Sequence, residues 1–449
     1  LYLNPNNNPY RRDALLWDLF KKEDNLEIYI ETYIDEVETD ENKNIIAVSG
    51  TQRGAEIRYN FKGNLFLDNT GDGTIGYLAG ADYRVGRESK KEFQEKLAPE
   101  NEDNKCLPST LSWYAEDTGR TVPFEPPDFA LDLLNDEVFT SRKIPENSFH
   151  RYQWFYDLDG HVDQIHNYQQ IIRDHQAFIY GLWDYIKNSG KFEADNYDLK
   201  YISPKPGKRE SRRILGDYIL TEKDIVNQVE FKDVVGHGGY PIDPHPPEGF
   251  FSDDLASHCF YLKSIYQIPL RTVCSRNINN LMMAGRCMSA SHVALNTLRV
   301  VQTLATLGQA LGAAAYICNK YQIKPAQIYN NYIEELQQIL IKNGQYLPGI
   351  CLENDRDLAR KAQIKASSTR EFQNTEKNDQ IHLDKTVALI LPLKNKINHL
   401  SLLVKNIKET TLKYNLYFDE KKYSYYPDNL IDQNEINLKT SKDFYWLQL

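Results

Sequence analysis

The chain has 449 residues, enough for two or three domains. Its 53 basic side chains stand against 63 acidic ones, and the net charge of -10 excludes a general nucleic-acid binder with a basic face and any electrostatic pull toward anionic membranes. The 12% aromatic share, with 30 tyrosines, belongs to a folded chain and not a disordered one. No apolar run reaches transmembrane length, and no signal peptide is visible after Leu1. Cys106, Cys259, Cys274, Cys287, Cys318 and Cys351 form no CxxC pair, so zinc and iron–sulfur spacings are missing, no metal is expected, and the cysteines read as free thiols.

In chain order, Pro9–Lys22 has helical periodicity, with Leu15, Leu16, Leu19 and Phe20 on one face. The alternation from Leu26 to Ile34 predicts a strand, Glu41–Asn44 a turn and Ile45–Val48 a second strand, after which the chain returns through Phe61 to Asp68. Lys90–Asn104 reads as a solvated charged stretch, Leu111–Tyr114 as a strand, and Pro123, Pro126 and Pro127 as marks of an irregular segment. Gln164–Asn188 is a strong amphipathic helix, and His166 and His175 within it read as surface or boundary histidines. Arg209, Arg212 and Arg213 precede a predicted strand, Ile214–Leu220; Thr221 and Asp224 then spell an N-cap and its capping-box partner. His237-Gly238-Gly239-Tyr240 and Asp243-Pro244-His245-Pro246-Pro247 form a loop fixed by Gly and Pro. Leu281–Ala284 reads as a short buried strand, Gly285 as a turn, and Thr297 as the start of a helix rich in Gly and Ala. Pro325 opens another helix, which Gly344 ends. Beyond Leu352, alternating runs at Thr386–Leu391, Leu400–Val404, Leu412–Phe418 and Phe444–Leu449 predict antiparallel strands.

Two stretches fit together. Asn64–Gly80 places Thr70-Gly71-Asp72-Gly73 between a strand and a small-residue helix start. Far downstream come Ala284-Gly285-Arg286, Ser289-Ala290-Ser291-His292-Val293-Ala294, Arg299-Val300 and Gly308-Gln309-Ala310. Together they resemble the FAD-dependent oxidoreductase family built on the glutathione-reductase type of flavin fold, with Glu210–Tyr218 and Gly239–Gly249 as further matching segments. The resemblance implies an α/β fold: an incomplete FAD/NAD(P)-binding Rossmann-like domain with an inserted α+β substrate domain; the alternating runs beyond Leu352 add a C-terminal β-sandwich-like module. The expected division is 1–85 and 271–345 for the two parts of the FAD-binding domain, 86–270 for the substrate or cap domain, and 352–449 for the sandwich, which in pattern is like a carbohydrate-binding jelly roll. The family opens on a strand–GxGxxG–helix unit that cradles the pyrophosphate. The opening LYLNPNNNPYRR is no strand and no GxGxxG is expected anywhere in the chain, so the expectation is an N-terminally truncated member that lacks this unit and whose own FAD binding is weakened.

FAD is the cofactor that the resemblance implies. Asp68, Thr70, Gly71, Asp72 and Gly73 would lie near its nucleotide portion, and Gly285, Arg286 and Ser289 near its ribityl and ring portions, with Ser291 and Arg299 completing the set. A helix N-terminus there would stabilise negative charge on the reduced ring. The catalytic candidates are His292, Arg213, His245 and Tyr240: imidazole and phenol suit proton transfer, and a guanidinium anchors carboxylate or phosphate. Read from the residues alone, the same groups also serve to shape a rigid loop. The expected partners are a small-molecule or sugar-derived substrate and an electron acceptor, a redox protein among the candidates, with no nucleic acid and no membrane span. Cytoplasm and cell envelope both stay open. The other class left open is a polysaccharide lyase or carbohydrate-binding protein that keeps a non-catalytic flavin fold.

Overall fold

The computed structural model describes residues 9–134, 139, 142–368, 382–384, 386–389, 399–418 and 429–449. Helix α1 (Pro9–Phe20) leads into an antiparallel meander of β1 (Thr32–Thr39), β2 (Ile45–Gln52) and β3 (Ile57–Lys62). The first strand starts at Thr32, later than the alternation suggests. The preceding apolar run is held instead by aromatic edges, with the Tyr29 ring 4.9 Å from Tyr59 and 4.8 Å from Phe61. Next come β4 (Phe66–Asp68), α2 (Thr74–Leu78), β5 (Tyr83–Arg84) and α3 (Lys90–Phe93). The charged stretch around α3 is only partly solvated, since Glu95 is buried.

A long excursion comes next. It contains β6 (Ser109–Thr110), β7 (Trp113–Asp117), β8 (Asp157–Leu158), α4 (Tyr168–Asn188) and β9 (Tyr197–Ile202). Its own apolar core gathers Trp113, Tyr156, Phe178, Trp183 and Phe250 against α4. His175 belongs to this interior, not to the surface: its Nδ1 lies 2.8 Å from the Ile171 carbonyl and its Nε2 3.0 Å from that of Ser109. The excursion re-enters through β10 (Arg213–Ile214), which pairs antiparallel with β5. An insert whose two ends meet at neighbouring strands leaves the parent fold intact. The strand expected to run on to Leu220 stops at Ile214. At Gly216 the backbone presses so close to Arg271 that a Cβ would stand 2.2 Å from its carbonyl oxygen.

Helix α5 (Glu222–Val226) starts on the predicted Thr221–Asp224 capping box. Strands β11 (Val234–Gly238) and β12 (Tyr266–Pro269) pair antiparallel, and β13 (Leu281–Met283) pairs parallel with β4, with Met283 opposite Asp68. Parallel neighbours need a long crossover between them, and the insert lies inside it. Asn280 ties this pair to the meander: its Oδ1 accepts the Ile45 N–H at 2.8 Å, and its Nδ2 donates to the Ile45 and Asn64 carbonyls. The single helix expected from Thr297 is two, α6 (His292–Leu298) and α7 (Val301–Tyr321), bent by 92°. Val300 is extended between them, and Thr297 Oγ1 donates to the Tyr240 carbonyl, so α6 is held to the loop before β12 while α7 packs on β11. The helix opened by Pro325 likewise divides at Tyr332 into α8 (Pro325–Asn331) and α9 (Ile333–Lys342). The largest core joins α6, α7, α8 and α9 to β11 and β12; residues 220–242 and 266–270 therefore pack with these C-terminal helices, while Phe250 between them joins the core of the insert. Among the described residues no single helix is long and apolar enough to cross a membrane.

Toward the C-terminus β14 (Ser401–Val404) pairs with β17 (Tyr445–Gln448) and β15 (Thr410–Phe418) with β16 (Asn429–Leu438), all antiparallel. These two pairs are what the described residues hold of the expected sandwich. Of the strand expected at Thr386–Leu391, residues 386–389 are irregular and the rest lies outside the described residues.

Candidate functional site

Strands β4 and β13 end side by side, and the loops leaving their carboxyl ends, 69–73 and 284–291, meet there. This is where α/β sheets hold ligands. Asp68 is fully buried and accepts hydrogen bonds from the N–H and hydroxyl of Thr70 and from the Gly76 N–H, so its carboxylate fixes the turn from inside. Gly71 and Gly73 have φ of +78° and +62°, backbone that glycine adopts without strain. The Arg286 guanidinium lies against Gly71, its Nη2 2.7 Å from where a Cβ would stand. Asp72 accepts Lys208 Nζ at 2.7 Å and Ser211 Oγ at 2.8 Å, with Arg286 Nη2 at 3.6 Å. Burial works against its charge, yet these partners hold its carboxyl below the ordinary value.

One expectation needs correction. The GxGxxG spacing does occur, as Gly71-Asp72-Gly73-Thr74-Ile75-Gly76, running from the turn after β4 into the first turn of α2. It is missing only from the chain's opening. The third glycine keeps the packing role that the pattern gives it, since a Cβ on Gly76 would stand 2.9 Å from the Ile214 side chain.

Of the sequence-predicted cofactor residues, Asp68, Thr70, Gly71, Asp72, Gly73, Gly285 and Arg286 come together at the strand ends. Ser289 and Ser291 are turned inward. Ser289 Oγ donates to the Tyr218 carbonyl at 2.7 Å; Ser291 accepts the Ala294 N–H as the cap of α6 and donates to Glu95. Arg299 sits at the far end of α6, beside Asp243. Cys287 is a packed thiol behind the crevice, pushed up by burial, and all six cysteines are free.

A second constellation forms around the first residue of α6. His292 Nδ1 lies 2.8 Å from Glu210 Oε2, and its backbone N–H donates to Glu88 at 2.8 Å. Glu210 is completely buried; it accepts the Leu107 N–H at 2.8 Å and Arg213 Nη1 at 2.6 Å. Burial opposes its charge, but His292 and Arg213 hold its carboxyl below the ordinary value. Arg213 also donates to Glu88 and to the Gly86 carbonyl and is itself fully enclosed. Of the four catalytic candidates, Arg213 therefore stands behind the site. His245 lies between Asp157 (2.7 Å) and Asp243 (3.3 Å), and the Tyr240 hydroxyl reaches Asp243 at 3.5 Å. Glu88, Glu95, Lys208 and Asp157 had no signal in the sequence, because each meets its partner across a fold contact and not along a local motif.

Glu95 is open to a separate test. It accepts the Glu222 N–H and the Ser291 hydroxyl on one oxygen, while the other is buried without a partner. Burial raises its pKa, as do the charges of Glu88 and Glu222, with the two hydrogen bonds opposing. A raised carboxyl contributes stability below its unfolded value and loses it as pH rises through the folded value. We therefore expect Glu95→Gln to flatten the fall in melting temperature as pH rises above the ordinary carboxyl value of about 4.3, and to melt no lower than the parent once Glu95 is ionised. An equal drop at every pH would show that the carboxylic acid itself matters.

A protein-family model described as FAD dependent oxidoreductase matches residues 8–340 of the chain. No curated protein and no solved structure matches it.

Proposed function

The chain belongs to the FAD-dependent oxidoreductase family, with FAD as the cofactor, and from that premise we propose that it oxidises a small hydroxylated substrate whose proton is taken by His292. The observation that carries this reading is the His292–Glu210 pair. A fully buried carboxylate on Nδ1 fixes the orientation of the ring and favours the tautomer that leaves Nε2 as the proton acceptor. Arg213 is a positioning residue here: it holds Glu210 in place and keeps it ionised. Tyr240 and His245 share Asp243 and would orient the substrate.

The strand-end residues fit the cofactor. Arg286 Nη1 is buried with no partner, and Gly285, at φ +88°, has open space on the side where a Cβ would stand. An unpartnered guanidinium N–H beside an open crevice suits an anionic nucleotide group. Thr70, Gly71, Asp72, Gly285 and Arg286 would hold FAD, which supplies the two-electron acceptor. The chain's own residues bind, orient and take up the proton.

The experiment is a titration with FAD, followed by flavin absorbance, of the protein and of Arg286→Ala. A charge-assisted hydrogen bond is worth about 1.5–3 kcal/mol, so the variant should bind FAD about tenfold to a hundredfold more weakly. An unchanged affinity removes Arg286 from the cofactor site, and no FAD uptake by the parent overturns the reading for this chain.

A further inference from the structure

Arg209 and Arg299 are charged groups near the His292–Glu210 pair that the reaction above does not use. Their side chains are only 11% and 13% exposed. Arg213 closes on Glu210 and Glu88, and Arg271 on both oxygens of Asp233, at 2.9 and 3.0 Å. Arg209 and Arg299 reach a carboxylate only at longer range. Arg209 gives its terminal nitrogens to the Pro108 and Trp154 carbonyls at 2.8 and 2.7 Å, with Asp157 only at 3.7 Å. Arg299 reaches the Asp243 carbonyl at 3.3 Å and its carboxylate at 3.5 Å, and its Nε is buried with no partner. Carbonyl oxygens satisfy most of the donors, and the aspartates stand too far off for short charge-assisted bonds.

The neighbouring carboxylates are already committed. Asp157 and Asp243 bracket His245, one on each ring nitrogen, and Asp243 also accepts the Ser257 hydroxyl. Each carboxylate is therefore shared between His245 and an arginine at longer range, Asp157 with Arg209 at 3.7 Å and Asp243 with Arg299 at 3.5 Å. Burial lowers the pKa of Arg299 to about 10, and the charge of Arg209 pushes the same way.

The topology sets these two arginines beside the proton acceptor. Arg209 directly precedes Glu210, and Arg299 closes the helix that His292 opens, roughly 10 Å along its axis. Trp154 and Tyr240 stand at the rim, 48% and 41% exposed, and the Trp154 ring lies 5.5 Å from that of His245. Such rings offer an apolar face with a polar edge.

We propose that Arg209 and Arg299 bind the carboxylate of the substrate, which is a sugar acid or a similar hydroxy acid whose carboxylate lies several bonds from the carbon that is oxidised. This rests on the reading of His292 as proton acceptor. The planar guanidinium fork matches a carboxylate in shape and charge, and the buried Nε of Arg299 still lacks an acceptor.

The test is calorimetric titration of the FAD-loaded protein with D-galacturonate and D-glucuronate, with D-galactose and D-glucose, and with D-galactose 6-phosphate. It is repeated on Arg209→Gln and Arg299→Gln, each checked for retained flavin absorbance. The uronates should bind at least about tenfold tighter than the neutral sugars, and each substitution should bring them down to the neutral level. Equal binding of acid and neutral sugars, tighter binding of the phosphate, binding of none, or uronate affinity unchanged in both variants overturns the proposal. Should a variant fail to fold, the comparison of acid with neutral sugar on the parent protein decides alone. Binding is read here without electron transfer. If uronates bind through the arginines and the flavin stays oxidised, the oxidation reading falls and the carboxylate site stands.

Discussion

Replacing His292 by Ala in the FAD-loaded protein should slow substrate-driven bleaching of the flavin by about 10²–10⁴-fold, the usual contribution of a positioned general base. Flavin binding should be unaffected, because the ring of His292 bonds Glu210 and not the strand-end loops. The variant also leaves Glu210 with the Arg213 and Leu107 donors, so its charge stays partnered and the fold should survive. Stopped-flow absorbance separates the outcomes. A slower chemical step with unchanged flavin content supports His292 as the proton acceptor, whereas an unchanged rate removes it. Glu210→Gln sharpens the test. The amide keeps the size of the side chain but offers Nδ1 no anion, so the rate should fall less than in the alanine variant and its pH dependence should shift. A merely structural role for Glu210 would lower the melting temperature and leave the pH profile in place.

The parts of this site that were legible in the sequence are those that a local pattern specifies. Gly71, Gly73 and Gly285 sit at positive φ, where glycine is the residue at ease, so TGDG and AGR announce the turns at the two strand ends. Thr221 and Asp224 spell a cap within four residues, and the cap is there. The bend between α6 and α7 was not legible. Thr297, Leu298 and Arg299 continue a helical pattern without interruption, and the break is imposed from outside, where Thr297 bonds Tyr240 and Arg299 turns toward Asp243. That bend is what sends Arg299 to Asp243, away from the strand-end residues with which the motif groups it. His175 shows the same limit: its burial comes from Ser109, 66 residues upstream. In the sequence Arg213 reads as an anion anchor because it stands in an arginine cluster; in the fold the anions it meets are two glutamates of the same chain.

Arg213→Met should be the most destabilising single change in the site. The thioether fills much of the volume, so the loss is mainly electrostatic. Glu210 and Glu88 would keep their places in the interior without the cation they share, and removing one partner of a buried ionic group costs about 3–5 kcal/mol. The expected result is a large drop in the denaturation midpoint, with residual turnover at permissive temperature because no contact to substrate is lost. A double substitution tests the cause. Arg213→Met combined with Glu88→Gln removes one of the stranded charges and should recover part of the stability, a coupling that a simple packing defect would not produce. The contrary outcome is equally readable. If Arg213→Met keeps its midpoint but abolishes flavin reduction, Arg213 acts on the substrate directly and its positioning role is wrong.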